Sequence, residues 1–226
     1  MGESEGSTSS VSISDKPIAL QDWCASLGKP IQFDNDTATT KESKQEATDD
    51  KKIQGLIVRI FGRLTASICA QLIVGIEKRL MDHPTIQFKL AVFISSYGGD
   101  ADPVGGVIDQ VRLWKASKRI VRVVTVGQGM IASCAIYLAH GLGDPGFRFI
   151  QPLSTAIFHA MSMSVSSPLT PTLTLKAKTL VDISHIWNKV VLPTVSQDLL
   201  QRAESGTDIF MSATEYVQYG LADFVL

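Results

Sequence analysis

Thr125-Val126-Gly127-Gln128-Gly129-Met130-Ile131-Ala132-Ser133-Cys134-Ala135 is the stretch on which the reading of the chain turns. The apolar, β-branched run Ile120 to Val126 reads as a buried strand, which two glycines then break. The small-residue segment Ala132 to Ala139 reads as a helix, so Ser133 stands where a strand hands over to a helix N-terminus. Amide N–H groups at such an end have no intrahelical partner and favour negative charge. A serine there can attack a carbonyl while nearby amides receive the oxyanion. It can equally serve as an ordinary helix cap. The stretch alone leaves both readings open.

Outward from it, strands and helices alternate. Gly55 to Phe61 reads as a strand, and Thr65 can cap a helix from Ala66 to about His83 with Ile68, Leu72, Ile76 and Leu80 on one face. Phe88 to Ser95 is a second strand, Ser96 to Gly99 a turn, and Val104 to Ala116 a helix carrying Val107, Val111 and Leu113. Strands separated by helices imply parallel pairing and an α/β domain. Chemistry in such sheets gathers outside the carboxyl ends of the strands, where Gly98-Gly99 and Gly127/Gly129 fall. Both glycine sites are equally consistent with plain tight turns.

At 226 residues the chain can bury one large core, and its net charge of −1 argues against a nucleic-acid partner. Cys24, Cys69 and Cys134 show no metal-ligand spacing, which suggests buried thiols in a reducing compartment. No run is apolar and long enough to span a bilayer. The composition shifts near residue 52: residues 1–50 hold 10 acidic residues against 4 lysines, 13 Ser and Thr, and no arginine. Residues 1–52 therefore read as a mobile polar arm, neither signal nor transit peptide, followed by a globular domain over 53–226. Two less polar pieces of the arm, Pro17 to Cys24 and Ile31-Gln32-Phe33, could dock on a surface.

Four histidines could serve a nucleophile. His83 precedes a proline at a helix end, His140 lies within the helix that Ser133 opens, and His185 falls in a long helical stretch. His159 closes the apolar strand Thr155 to Phe158, where it is either a structural residue or a base. A carboxylate would complete such a set, but general reasoning does not select one; Asp208, ahead of the run Ile209-Phe210, reads as a turn aspartate.

Several of these residues also carry a family resemblance. From about Gly55 to Leu226 the chain resembles ClpP, the proteolytic subunit of Clp peptidases. The family's Asn-Ser-Pro-Gly-Gly turn is matched by Ser95-Ser96-Tyr97-Gly98-Gly99, and its Gly-x-Ala-Ala-Ser segment by Gly129-Met130-Ile131-Ala132-Ser133. The family histidine falls on His159. Its aspartate falls on Asp208 in Asp208-Ile209-Phe210-Met211-Ser212-Ala213, and its closing Tyr-Gly-Leu-x-Asp on Tyr219 to Asp223. Tyr97 replaces the family proline, Asp100 follows the glycines, and Ala160-Met161 replace Gln-Pro after the histidine. Counting from Gly127 instead of Gly129 would put Ile131 in the nucleophile's place, so Ser133 requires a two-residue shift at the strand end. The arm does not resemble the family's short axial loops.

The resemblance implies an α/β fold of the ClpP/crotonase type, with repeated βαβ units and a protruding handle over about 162–201. It implies a serine endopeptidase that cleaves unfolded polypeptide inside an oligomeric chamber, with Ser133 as nucleophile, His159 as base and Asp208 as its orienter. Backbone N–H groups of Gly98 and Cys134 would form the oxyanion hole, with no metal or organic cofactor. The implied partners are further subunits in two stacked rings and an AAA+ ATPase unfoldase, with no nucleic acid and no membrane, in the cytoplasm. On the handle, Leu173, Leu175, Ile183, Trp187 and Val191 are expected on a projecting apolar face that needs a partner. Two other classes remain: a non-catalytic ring subunit and an acyl-CoA enzyme of the crotonase fold.

Overall fold

The computed structural model describes the backbone at residues 31–32, 53–162 and 170–226, and side chains at 53–162 and 177–226. Strands β1 (Ile31–Gln32), β2 (Ile53–Phe61), β3 (Gln87–Ser96) and β4 (Ile120–Ala132) lie side by side and parallel. The sheet continues through β5 (Arg148–Ile150) to β8 (Phe224–Val225) at its far edge. Between the strands come α1 (Ala66–Asp82), α2 (Ala101–Ala116) and α3 (Cys134–Leu142). This is the α/β alternation expected from the sequence. In the arm, β1 pairs Ile31 with Val58 and Gln32 with Arg59. The rest of the arm, including Pro17 to Cys24, lies outside the described residues.

Local chemistry explains the helices. The Thr65 hydroxyl accepts the Ile68 N–H at 3.3 Å to start α1, and Cys69, Leu72, Ile76 and Leu80 are buried along one stripe. Helix α3 is buried on nearly every side, as its run of small and apolar residues requires. Alternate residues of the strands, Leu56, Val58 and Ile60 with Leu90, Val92 and Ile94, join the helices in one core. The opposite face holds Ile57 and Ala91 with Phe93, and Val124, Val126 and Phe149 with Phe147 and Phe224. Among the described residues no helix joins those clusters. They are roofed instead by side chains: the Arg59 guanidinium lies 4.6 Å over Phe93 and that of Arg122 lies 4.0 Å over Phe147.

Strand β4 departs from expectation. The glycines do not end it; it runs on to Ala132. Ile94 pairs with Gly127 and Ser96 with Ile131, so two steps along β3 match four along β4. The two extra residues form a bulge at Gly129, whose φ of +63° favours glycine. Beyond the bulge β4 changes partner. Thr125 to Gly127 pair with β5, whereas Met130 to Ala132 pair with β6 (Thr155–Phe158). Strand β6 in turn pairs antiparallel with β7 (Ile209–Ser212).

The long helix α4 (Thr170–Val191) is followed by α5 (Gln197–Glu204) and, after β7, by α6 (Ala213–Gln218). The expected outward face of the handle is corrected here. Val191 is buried, and Trp187 packs edge-on against Tyr137 and over Gly105. Among the described residues, Val181, Ile186 and Val190 are the large apolar residues that α4 exposes. The expected residues Leu173 and Leu175 lie outside the described side chains. Leu192, Val195, Leu199 and Leu200 belong to the main core, so the chain after α4 does not project.

Candidate active site

The topology brings three segments to one end of the sheet. Strand β4 ends between the turn that follows β3 and the end of β6. Ser133, next after β4, donates its N–H to the Ile157 carbonyl at 3.0 Å. On its other side Gly98 presses so close that a Cβ there would stand 2.6 Å from the Ser133 Cβ and 2.8 Å from the Ala132 carbonyl oxygen. Gly98 also has φ +92°, so this turn admits only glycine. Gly99 is held as tightly: a Cβ there would stand 2.0 Å from the Leu64 carbonyl oxygen. Leu64 pins the turn by donating to Gly98 O at 2.9 Å and accepting from Asp100 N at 2.8 Å.

Ser133 does not act as the side-chain cap of α3. It precedes α3 but makes no capping bond, and its backbone sits at φ 55°, ψ −129°. A non-glycine residue held there is strained by about 1–3 kcal/mol, and such strain persists only where the surroundings impose it. A sharp strand-to-helix turn of this kind lifts a hydroxyl clear of the sheet. The Cys134 N–H, the first of α3, has no intrahelical partner.

The expected oxyanion-hole amide of Gly98 has a partner in this structure. Its N–H donates to Ser96 Oγ at 3.0 Å, within its own turn. Gly99 is bridged to Leu64 through its neighbours' groups, so its own N–H and C=O point away from Leu64. Its carbonyl receives the Cys134 thiol at 3.3 Å, which places that side of Gly99 against the Ser133–Cys134 corner.

His159 follows β6 directly and is half-buried. Its Nδ1 lies 2.7 Å from the Ala160 carbonyl oxygen. A carbonyl only accepts, so in the neutral ring Nδ1 carries the proton and Nε2 keeps its lone pair. Phe158 pairs with Ile209 across β6 and β7, and one further step sets His159 opposite Asp208. Asp208 is exposed, and among the described residues neither it nor Ser133 is hydrogen-bonded to the imidazole. Ser133 is thus bonded to Ile157, two residues before His159, and Asp208 directly precedes Ile209, the partner of Phe158; among the described residues no hydrogen bond joins the three side chains.

The surroundings carry charge that the sequence leaves unpaired. Asp100 faces Arg63 at 3.4 Å on the surface. Burial, more than any other influence, pushes both nearby thiols up, Cys69 to about 11, with Asp100 adding to each. Neither thiol is a thiolate near neutrality. Among the described residues no cluster of His, Cys, Asp or Glu could hold a metal ion, and no helix is long and apolar enough to cross a membrane.

Sequence reasoning missed a second histidine site. His140, buried in α3, accepts from the Arg148 guanidinium, whose Nη2 also bonds Asp223 at 2.6 Å. Burial first, and then Arg148, lower the His140 pKa to about 4. This cluster fastens the C-terminal segment to α3; the pairing of Arg148 with Asp223, 75 residues apart, leaves no local signal in sequence.

A Clp protease family model matches residues 42–226. The chain belongs to the Clp protease family. It is 31% identical over 171 residues to the ATP-dependent Clp protease proteolytic subunit of Deinococcus radiodurans, covering 73% of this chain and 74% of the relative. It is 26% identical over 193 residues to ATP-dependent Clp protease proteolytic subunit 2 of Treponema denticola, covering 81% of this chain and 90% of that protein. A subunit of the same description from Streptomyces avermitilis is 28% identical over 141 residues, 62% of this chain and 68% of the relative.

Proposed function

We propose that this chain is the proteolytic subunit of a Clp-type assembly, a serine endopeptidase acting on unfolded polypeptide inside an oligomeric chamber. The observation that carries it is the strained, uncapped Ser133 at the carboxyl edge of the sheet, in a member of this family. Ser133 Oγ attacks the peptide carbonyl carbon and its proton passes to His159 Nε2. Asp208, opposite in the β6–β7 register, replaces the Ala160 carbonyl as acceptor of the Nδ1 proton and stabilises the imidazolium. The oxyanion that forms is received by the Cys134 N–H and the Gly99 N–H, with Gly98 as the side-chain-free wall. Collapse expels the amine, which takes the proton from His159, and leaves an acyl ester on Ser133 that water hydrolyses.

Asp208 is exposed in the single chain, and joining it to His159 requires an ordering that neighbouring subunits can supply. The named relatives are ATP-dependent proteolytic subunits, which supports subunit assembly and an AAA+ ATPase as the supplier of unfolded chain. A cytoplasmic location goes with this reading. No observation favours a non-catalytic subunit or an acyl-CoA enzyme. Hydrolysis of a fluorogenic peptide and of an unfolded protein tests the proposal: the wild-type particle cleaves both, and Ser133→Ala abolishes both without altering the sedimentation of the particle. Unchanged cleavage by purified Ser133→Ala overturns it.

A further inference from the structure

Tyr137 lies one helical turn beyond Ser133 in α3, and its side chain is buried. Its hydroxyl is 2.8 Å from Asn188 Oδ1 of α4, itself buried. Its ring centroid is 5.9 Å from that of Phe158, the residue before His159, and 5.5 Å edge-on from that of Trp187. One side chain thus touches the helix that carries Ser133, the strand that delivers His159, and the handle helix. Burial raises the Tyr137 pKa, so the hydroxyl stays a donor.

We infer that Tyr137 is a positioning residue that holds Ser133 and His159 in register with α4, through its hydrogen bond to Asn188 and its contact with Phe158. The inference rests on the reading of Ser133 and His159 as nucleophile and base. Its physical basis is the cost of leaving the pair unmade. A slip of α4 by one residue moves it 1.5 Å along its axis and rotates Asn188 by about 100°, which strands a hydroxyl and an amide in an apolar surrounding. Tyr137 and Asn188 therefore admit one setting of α4 against α3. Phe158 shares that contact, so the same setting fixes where β6 ends and where His159 begins. A displaced α4 shifts Tyr137 and Phe158 together and opens the gap from Ser133 Oγ to His159 Nε2. Misplacement by about 1 Å at a reacting pair costs up to about 100-fold in rate.

The test uses the assembled wild-type particle, Tyr137→Phe, Asn188→Leu and the double variant. Each single variant leaves one buried polar group unsatisfied, whereas the double removes both and recovers stability. A merely structural bond predicts that activity returns with stability in the double variant. Positioning predicts that kcat and the rate of fluorophosphonate labelling at Ser133 stay about 10-fold low in the double variant while KM for a short peptide holds within about twofold. Wild-type kcat and labelling rate in a folded double variant overturn the inference and leave Ser133 as nucleophile intact. Absence of labelling at Ser133 in the wild type overturns both.

Discussion

Replacing Ser133 by glycine is expected to stabilise the protein while destroying its activity. The backbone at φ 55°, ψ −129° lies in a region that a side chain disfavours, at a cost of about 1–3 kcal/mol. Glycine removes that cost and adds about 0.5–1 kcal/mol of chain entropy to be lost on folding. The hydroxyl caps nothing, so its removal forfeits little. The balance is a gain of about 1 kcal/mol, or about 2–4 °C in Tm for a chain of this length. Alanine keeps the strain and should stay within about 0.5 kcal/mol of wild type. The assay is urea and thermal unfolding of the three proteins in the same assembly state, with peptide hydrolysis alongside. Both variants should be inactive, and Ser133→Gly should be the more stable. A glycine variant clearly less stable than the alanine variant would refute the strain on which the assignment of this turn rests.

Two further outcomes follow from the packing. His140 is held neutral, with its pKa near 4 against 6.5 ordinarily, so the unfolded chain binds more protons between those values. The stabilising contribution is whole above about pH 6.5 and fades as pH falls through 4, by about 3 kcal/mol in all; urea titrations of wild type against His140→Gln should show this difference in slope. On α4, Ile186→Glu or Val190→Glu, at exposed positions, should dissociate the particle and leave each subunit folded, whereas Trp187→Glu, facing Tyr137, should destabilise the subunit itself. Sedimentation and thermal melts separate the two cases.

What was legible in the sequence was what local chemistry determines. Leu72, Ile76 and Leu80 and the Thr65 cap specify α1 without reference to the rest of the fold, although Cys69 rather than the expected Ile68 is the buried residue of its first turn. Apolar runs specify β2, β3 and the first half of β4. The passage of β4 through Gly127 and Gly129 was not legible, because a bulge is defined by the partner strand, here the step from Ile94 to Ser96. Helix α4 carries apolar residues on two sides, Trp187 and Val191 on one and Ile186 and Val190 on the other, so periodicity cannot choose the inner face. Tyr137 and Phe158 choose it.

At the site, Ser133 was legible as a strand-to-helix residue, and the family resemblance selected it over the cap. His159 was visible at the end of its strand. Asp208 was singled out by the resemblance alone, since one exposed turn aspartate is otherwise like another. The engagement of the Gly98 N–H by Ser96 Oγ is likewise a property of the folded turn.

Covalent labelling tests the central claim most directly. The assembled wild-type protein treated with a fluorophosphonate, then digested and mapped by mass spectrometry, should carry the adduct on Ser133 alone. The labelling rate should fall by orders of magnitude in His159→Ala and less steeply in Asp208→Asn. A folded, assembled particle that leaves Ser133 unlabelled, or labels it at the wild-type rate without His159, would contradict the account.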